Sequence, residues 1–158
     1  MRKKGIVVEN SQRTIRFRAW DKENNKYFEP THEAFRGRLE DIVVGMNGRF
    51  LMRTMEGDVG ESKFSGRFLL EQFTCLKDKN GVEIYENDLM HLKILSEIPT
   101  LSVVEQRFGC WGRRPLEPDK LCDEDKDWKP FYCQEDGSVW LEFMEVIGNI
   151  HQNAELLK

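Results

Sequence analysis

The chain has 158 residues, with 24 Lys and Arg against 28 Asp and Glu and a formal net charge of −4. Leu, Ile, Val and Phe supply 42 of those residues, above the ~20% floor below which a charged chain stays disordered, so a packed core is expected. The acidic balance excludes a uniformly basic nucleic-acid binder, and no run approaches the ~20 apolar residues of a membrane-spanning helix.

In chain order, Met1–Lys4 has the basic character of a signal-peptide start. Ile6–Val8 is shorter than the ~7–15-residue apolar region that export requires, so a soluble cytoplasmic protein with no membrane association is expected. Residues 1–12 read as a mobile extension ahead of one domain spanning 13–158. In Thr14–Trp20, Ile15, Phe17 and Ala19 alternate with Arg16, Arg18 and Trp20, an apolar face against a cationic-aromatic outer face. The polar Asp21–Lys26 turns the chain, and Lys26–Glu29 returns as a second strand that Pro30 stops.

Residues 30–66 are the harder stretch. Thr31 is placed to cap a short helix over Glu33–Leu39, although Gly37 within it costs about 1 kcal/mol relative to Ala. Helix and strand both remain open there. Ile42–Val44 and Arg49–Met52 read as strands joined across Gly45–Gly48, and Gly57, Gly60 and Gly66 suggest an exposed loop.

Arg67–Cys75 is apolar apart from Glu71, Gln72 and Thr74, the pattern of a buried strand. Asp78-Lys79-Asn80-Gly81 is a hairpin loop whose last position needs a positive φ, which Gly81 supplies. Val82–Tyr85, the turn Glu86-Asn87-Asp88 and Leu89–Leu95 continue a meander or small barrel. Ser102–Phe108 is another alternating strand. Gly109–Lys129 reads as irregular and longer than the usual ~12–15-residue loop. Ser138–Phe143 resumes alternation, with Glu145–Ile147 extending it. Asn153 suits the cap of a last helical turn, Ala154–Leu157, with leucines packed back on the body.

The charge is unevenly spread. Residues 1–70 hold 14 basic and 10 acidic side chains (+4), and residues 71–158 hold 10 and 18 (−8). Arg13, Arg16, Arg18 and Trp20 form a cationic-aromatic face that could hold phosphates or stack a base. The plainer expectation is that these arginines pair with the acidic half, within or between subunits. Cys75, Cys110, Cys122 and Cys133 lack the close spacing of zinc ligands, so reduced thiols are expected. Asp123, Asp125 and Asp127 open like a calcium loop, but Trp128 and Gln134 stand where it needs Gly and Glu. His32, His91 and His151 stand in unlike contexts, and no phosphate loop, nucleophile elbow or paired-His motif is present. No catalytic, cofactor-binding or metal-binding residue is assigned.

Three segments together resemble the YopX family of phage and prophage proteins. They are Ile15–Asp21 with its polar turn; Leu76–Gly81 continuing through Glu83-Ile84-Tyr85-Glu86 to Asp88; and Val146-Ile147-Gly148-Asn149-Ile150 with Glu155-Leu156-Leu157. The family usually carries Gly where Cys75 and Asn87 stand, and Pro where Ala154 stands. Asn keeps the left-handed turn at 87, whereas Cys75 points to an extended backbone at that position. The resemblance implies a mainly β fold (β-rich α+β) with a small SH3-like barrel core, an N-terminal β-hairpin, and irregular insertions at about 30–66 and 109–137.

The family has no established biochemical function to carry over. The expected reading is therefore a phage- or prophage-encoded, non-enzymatic, self-associating interaction module without a cofactor. Its partner would be a second copy or an unknown phage or host protein. Trp111, Trp128, Phe131 and Tyr132 are the candidate anchors, because aromatic residues dominate binding hot spots; covering the barrel's end is their plainer role. The alternative is a nucleic-acid-binding accessory protein using the Arg16/Arg18/Trp20 face.

Overall fold

The computed structural model describes residues 14–33, 36–93, 100–116, 128–131 and 140–157. The fold is mainly β, with a sheet curled into a half-barrel. Thirteen strands run in order through the described residues: β1 Phe17–Asp21, β2 Lys26–Tyr27, β3 Thr31–Glu33, β4 Arg38–Val44, β5 Phe50–Thr54, β6 Gly57–Gly60, β7 Phe68–Lys77, β8 Glu83–Tyr85, β9 Asp88–Leu92, β10 Thr100–Arg107, β11 Cys110–Pro115, β12 Lys129–Pro130 and β13 Met144–Asn149. They form three antiparallel sheets, ordered β2-β1-β7-β8, β12-β11-β10-β9-β13 and β3-β4-β5-β6.

The core lies on one face of the five-stranded sheet. Met90, Leu92, Val104 and Met144 pack there with Ile84 and Phe131, and Leu76, Trp111, Leu141 and Val146 flank them. Asp78 joins the first sheet to this one. Its Oδ1 accepts the backbone N–H groups of Asn80 (2.8 Å) and Val82 (2.9 Å), and its Oδ2 accepts that of Val146 (2.9 Å). The loop residue thus holds its own turn and also occupies the outer edge of β13, where a neighbouring strand would otherwise bond.

Several sequence expectations change. Of the expected helix Glu33–Leu39, Glu33 and Arg38–Leu39 are strand: β3 and β4 pair antiparallel, with Gly37 at a φ of +70° that suits a turn and not a helix, and residues 34–35 lie outside the described residues. Gly57–Gly60 is a strand, not a loop, because it pairs with β5. Cys110–Pro115 is a strand as well. Phe108 (φ 51°) and Gly109 (φ 77°) both take positive φ in a two-residue hairpin turn, and Phe is a poor signal for that conformation. Trp140–Phe143 is a short 3-10 turn, and the strand begins only at Met144.

Cys75 is not extended but left-handed, at φ 68°, within a register shift between β7 and β8. The last turn, Ala154–Leu157, is 3-10, and its leucines stay partly exposed instead of packing back. No described helix is long and apolar enough to cross a membrane.

Candidate functional site

The most concentrated chemistry surrounds Glu71, in the middle of β7 and wholly buried. β1 and β7 pair so that Arg18 stands directly opposite Glu71, and Arg18 Nε donates to Glu71 Oε2 at 2.7 Å. Tyr27, at the end of the first hairpin, adds its hydroxyl to the same oxygen at 2.9 Å. Oε1 accepts from Asn87 Nδ2 (3.1 Å) and lies 3.0 Å from His151 Nε2. Asn149 Nδ2 spans both oxygens at 3.3 and 3.4 Å. Five side chains from four separate stretches of chain converge on this carboxylate.

Each is aimed by local structure. Asn87 has a φ of 65°, within reach for Asn and rare for most residues. Asn149 pairs across the sheet with Asp88, and its Oδ1 accepts the His151 backbone N–H at 2.9 Å, folding the chain back. The His151 ring then stacks on Trp20, with centroids 5.1 Å apart and planes at 13°.

Arg18 also binds the buried carboxylate of Asp88. Its guanidinium sits between the rings of Tyr27 and Tyr85, at 4.5 and 4.6 Å from their centroids. Burial opposes the charge of Arg18, but Asp88 and Glu71 outweigh it and hold the group more firmly protonated. Burial raises the pKa of Asp88, with Arg18 working against that shift. Burial likewise pushes the Tyr27 hydroxyl far above its ordinary range, so it serves as a donor. With both oxygens of Glu71 engaged, the carboxylate has no free lone pair aimed at an incoming group. The cluster is built to hold five chain segments in one arrangement.

The candidate residues divide accordingly. Arg16 pairs with Glu83 and lies over the Phe73 ring at 4.5 Å. Arg18 and Trp20 belong to the Glu71 cluster, and Trp20 is buried, so this strand face turns inward and is not an outer face. Phe131 is buried in the core, and Trp111, half-buried, packs against it. Trp128 covers Gly112, where an added Cβ would come within 2.5 Å of the indole.

Arg13, Tyr132, Cys122, Cys133, Asp123, Asp125 and Asp127 lie outside the described residues. Among those described, no three His, Cys, Asp or Glu side chains gather as metal ligands. His32 is exposed and His91 half-buried, and neither joins the cluster. Glu71, Tyr27 and His151 carry little sign of this partnership in the sequence. Their one local signal was a carboxylate inside an otherwise apolar strand, a residue type almost never buried alone.

A second region stands apart chemically. None of the residues of β3, β4, β5 or β6 is fully buried. One face of this sheet approaches the body through Phe50, Phe64, Phe68 and Phe28, whose successive ring centroids are 5.6–5.7 Å apart. On the opposite face, Val43 stands across from Leu51 and Asp41 across from Arg53, with Leu39 alongside. Beyond the aromatic chain a cleft of about 500 Å³ opens among Leu39, Met55 and Val59, rimmed by Arg38, Glu40 and Glu56.

Residues 16–158 match the family described as YopX protein. The fold is similar to protein EF1440 from Enterococcus faecalis (24% identity, 92% of this chain and 99% of that one, TM-score 0.53). It is also similar to YopX from Bacillus subtilis (20% identity, 90% and 95%, TM-score 0.51). No curated protein matches the chain in sequence.

Proposed function

The chain belongs to the YopX family, and from that premise we propose that it is a non-enzymatic interaction module that associates with copies of itself. The observation carrying this reading is the β3–β6 sheet. On the face turned away from the aromatic chain, Leu39, Val43 and Leu51 are apolar yet only half-buried, and Ile42, Val44, Phe50, Met52 and Val59 on the other face are only half-buried as well. Apolar surface left against water favours a covering partner, and contiguous patches of this kind mark interaction sites. The outer face also carries both signs of charge, in Asp41 and Arg53, as a self-complementary interface requires. An SH3-like description of the half-barrel, a phage or prophage setting and a cytoplasmic location belong to this same proposal.

The nucleic-acid alternative needs free guanidinium groups at Arg16 and Arg18, and these are engaged by Glu83, Glu71 and Asp88. Light scattering of the purified chain across micromolar concentrations tests the proposal. Association is expected, and it is expected to weaken when Val43 and Leu51 are both replaced by Asp. A strict monomer throughout that range overturns it.

A further inference from the structure

Six strands end their sheets among the described residues without a further strand beside them: β2, β3, β6, β8, β12 and β13, the last with part of its outer edge taken by Asp78. A sheet's outer strand presents unpaired backbone N–H and C=O groups to any extended chain that fits. Of these, β6 has a distinctive chemistry. Its sequence Gly57-Asp58-Val59-Gly60 is flanked by Glu56 and Glu61, so three carboxylates border it, and all three are exposed. An added Cβ at Gly57 or Gly60 would meet nothing within 4 Å, so the space around this edge is open.

The chain contains a segment of matching chemistry, Arg2-Lys3-Lys4-Gly5-Ile6-Val7-Val8. Its cations complement the exposed Glu56 and Glu61, Asp58 being already paired with Arg53 at 3.2 Å, and Ile6-Val7-Val8 is a run of β-branched residues suited to a strand. This segment lies ahead of the family match, which begins at residue 16. We propose that residues 2–8 of one copy add as a strand to the β6 edge of a second copy. The inference rests on the self-association reading and names its contact.

The test compares the full chain with three variants by light scattering and sedimentation, with circular dichroism to verify folding. Removing residues 2–8 and reversing the edge (Glu56→Lys with Glu61→Lys) should each raise the apparent dissociation constant about tenfold or more, as expected for lost charge pairs. Adding Lys3→Glu and Lys4→Glu to the reversed edge should restore most of the affinity, which a general loss of stability would not allow. If the full chain associates and neither the truncation nor the reversal weakens it, the strand addition is wrong while self-association stands. If both weaken it but the compensating reversal restores nothing, the pairing of this segment with this edge is wrong. If the full chain is a strict monomer, both readings fall.

Discussion

Arg18 and Glu71 are 53 positions apart in sequence, yet the guanidinium of one meets the wholly buried carboxylate of the other at 2.7 Å. The same guanidinium reaches Asp88. One cation therefore balances two buried anions.

Replacing Arg18 with Ala leaves both carboxylates uncompensated and should cost about 3–5 kcal/mol of folding stability. Equilibrium urea unfolding measures this directly. Arg16→Ala, just ahead of the same strand, removes the exposed pair with Glu83 and the contact with the Phe73 ring and should cost no more than about 1 kcal/mol. Equal losses for the two variants would contradict the central place given to Arg18.

Acid stability should depend on two aspartates with opposite signs. Hydrogen bonds from the Arg67 guanidinium, aided by Asn24 and two backbone N–H groups, hold Asp21 well below the usual carboxylate range. Its contribution is therefore complete above the unfolded value of ~3.9 and is lost as pH falls through the folded one. Burial raises Asp88 instead, so its ionisation weakens the fold as pH rises from ~3.9 through the folded value. Unfolding followed from pH 7 down to pH 2 should show a shallower acid decline for Asp21→Asn and a steeper one for Asp88→Asn.

Gly148 lies against the side chain of Asn153. A Cβ at 148 would overlap Asn153 Oδ1, which accepts the Asn149 backbone N–H at 3.2 Å. Gly148→Ala should cost about 1–3 kcal/mol through this overlap. It should also loosen the turn carrying His151, seen as faster amide exchange at residues 149–153. Gly60→Ala, with open space around it, should stay within about 0.5 kcal/mol of the parent in the same assay.

Phe108 is 83% exposed and left-handed at the β10–β11 turn. Its ring contact with Trp128, at 6.0 Å between centroids, is a modest return for that conformation. Phe108→Asn, the residue this turn type favours before Gly, should stabilise the chain by about 0.5–1 kcal/mol in thermal unfolding. A loss would mean that the Phe108–Trp128 contact outweighs the backbone strain.

The turns were legible wherever a single residue carried the geometry. Asp78 and Gly81 announce the β7–β8 hairpin because both the side-chain acceptor and the positive φ lie within four residues. β11 was hidden by Phe108, which adopts a conformation its residue type rarely takes. Cys75 is hidden for the same reason, as its left-handed backbone is carried by a residue that does not advertise it. Leu156 and Leu157 satisfied a helical pattern, but a single 3-10 turn is too short to bring both onto the body.

By itself the sequence determined the strand-rich class, the family resemblance, the first hairpin and the division into a basic and an acidic half. These rest on alternation, turn chemistry and charge counts, all local or additive properties. Only the tertiary structure decided where the halves meet. An ion pair is chosen by which strands become neighbours, and β1 lies beside β7 although five strands separate them in the chain. That pairing turns the Arg18 and Trp20 face inward, joins it to Glu71, Asp88 and His151, and leaves the β3–β6 sheet half-covered.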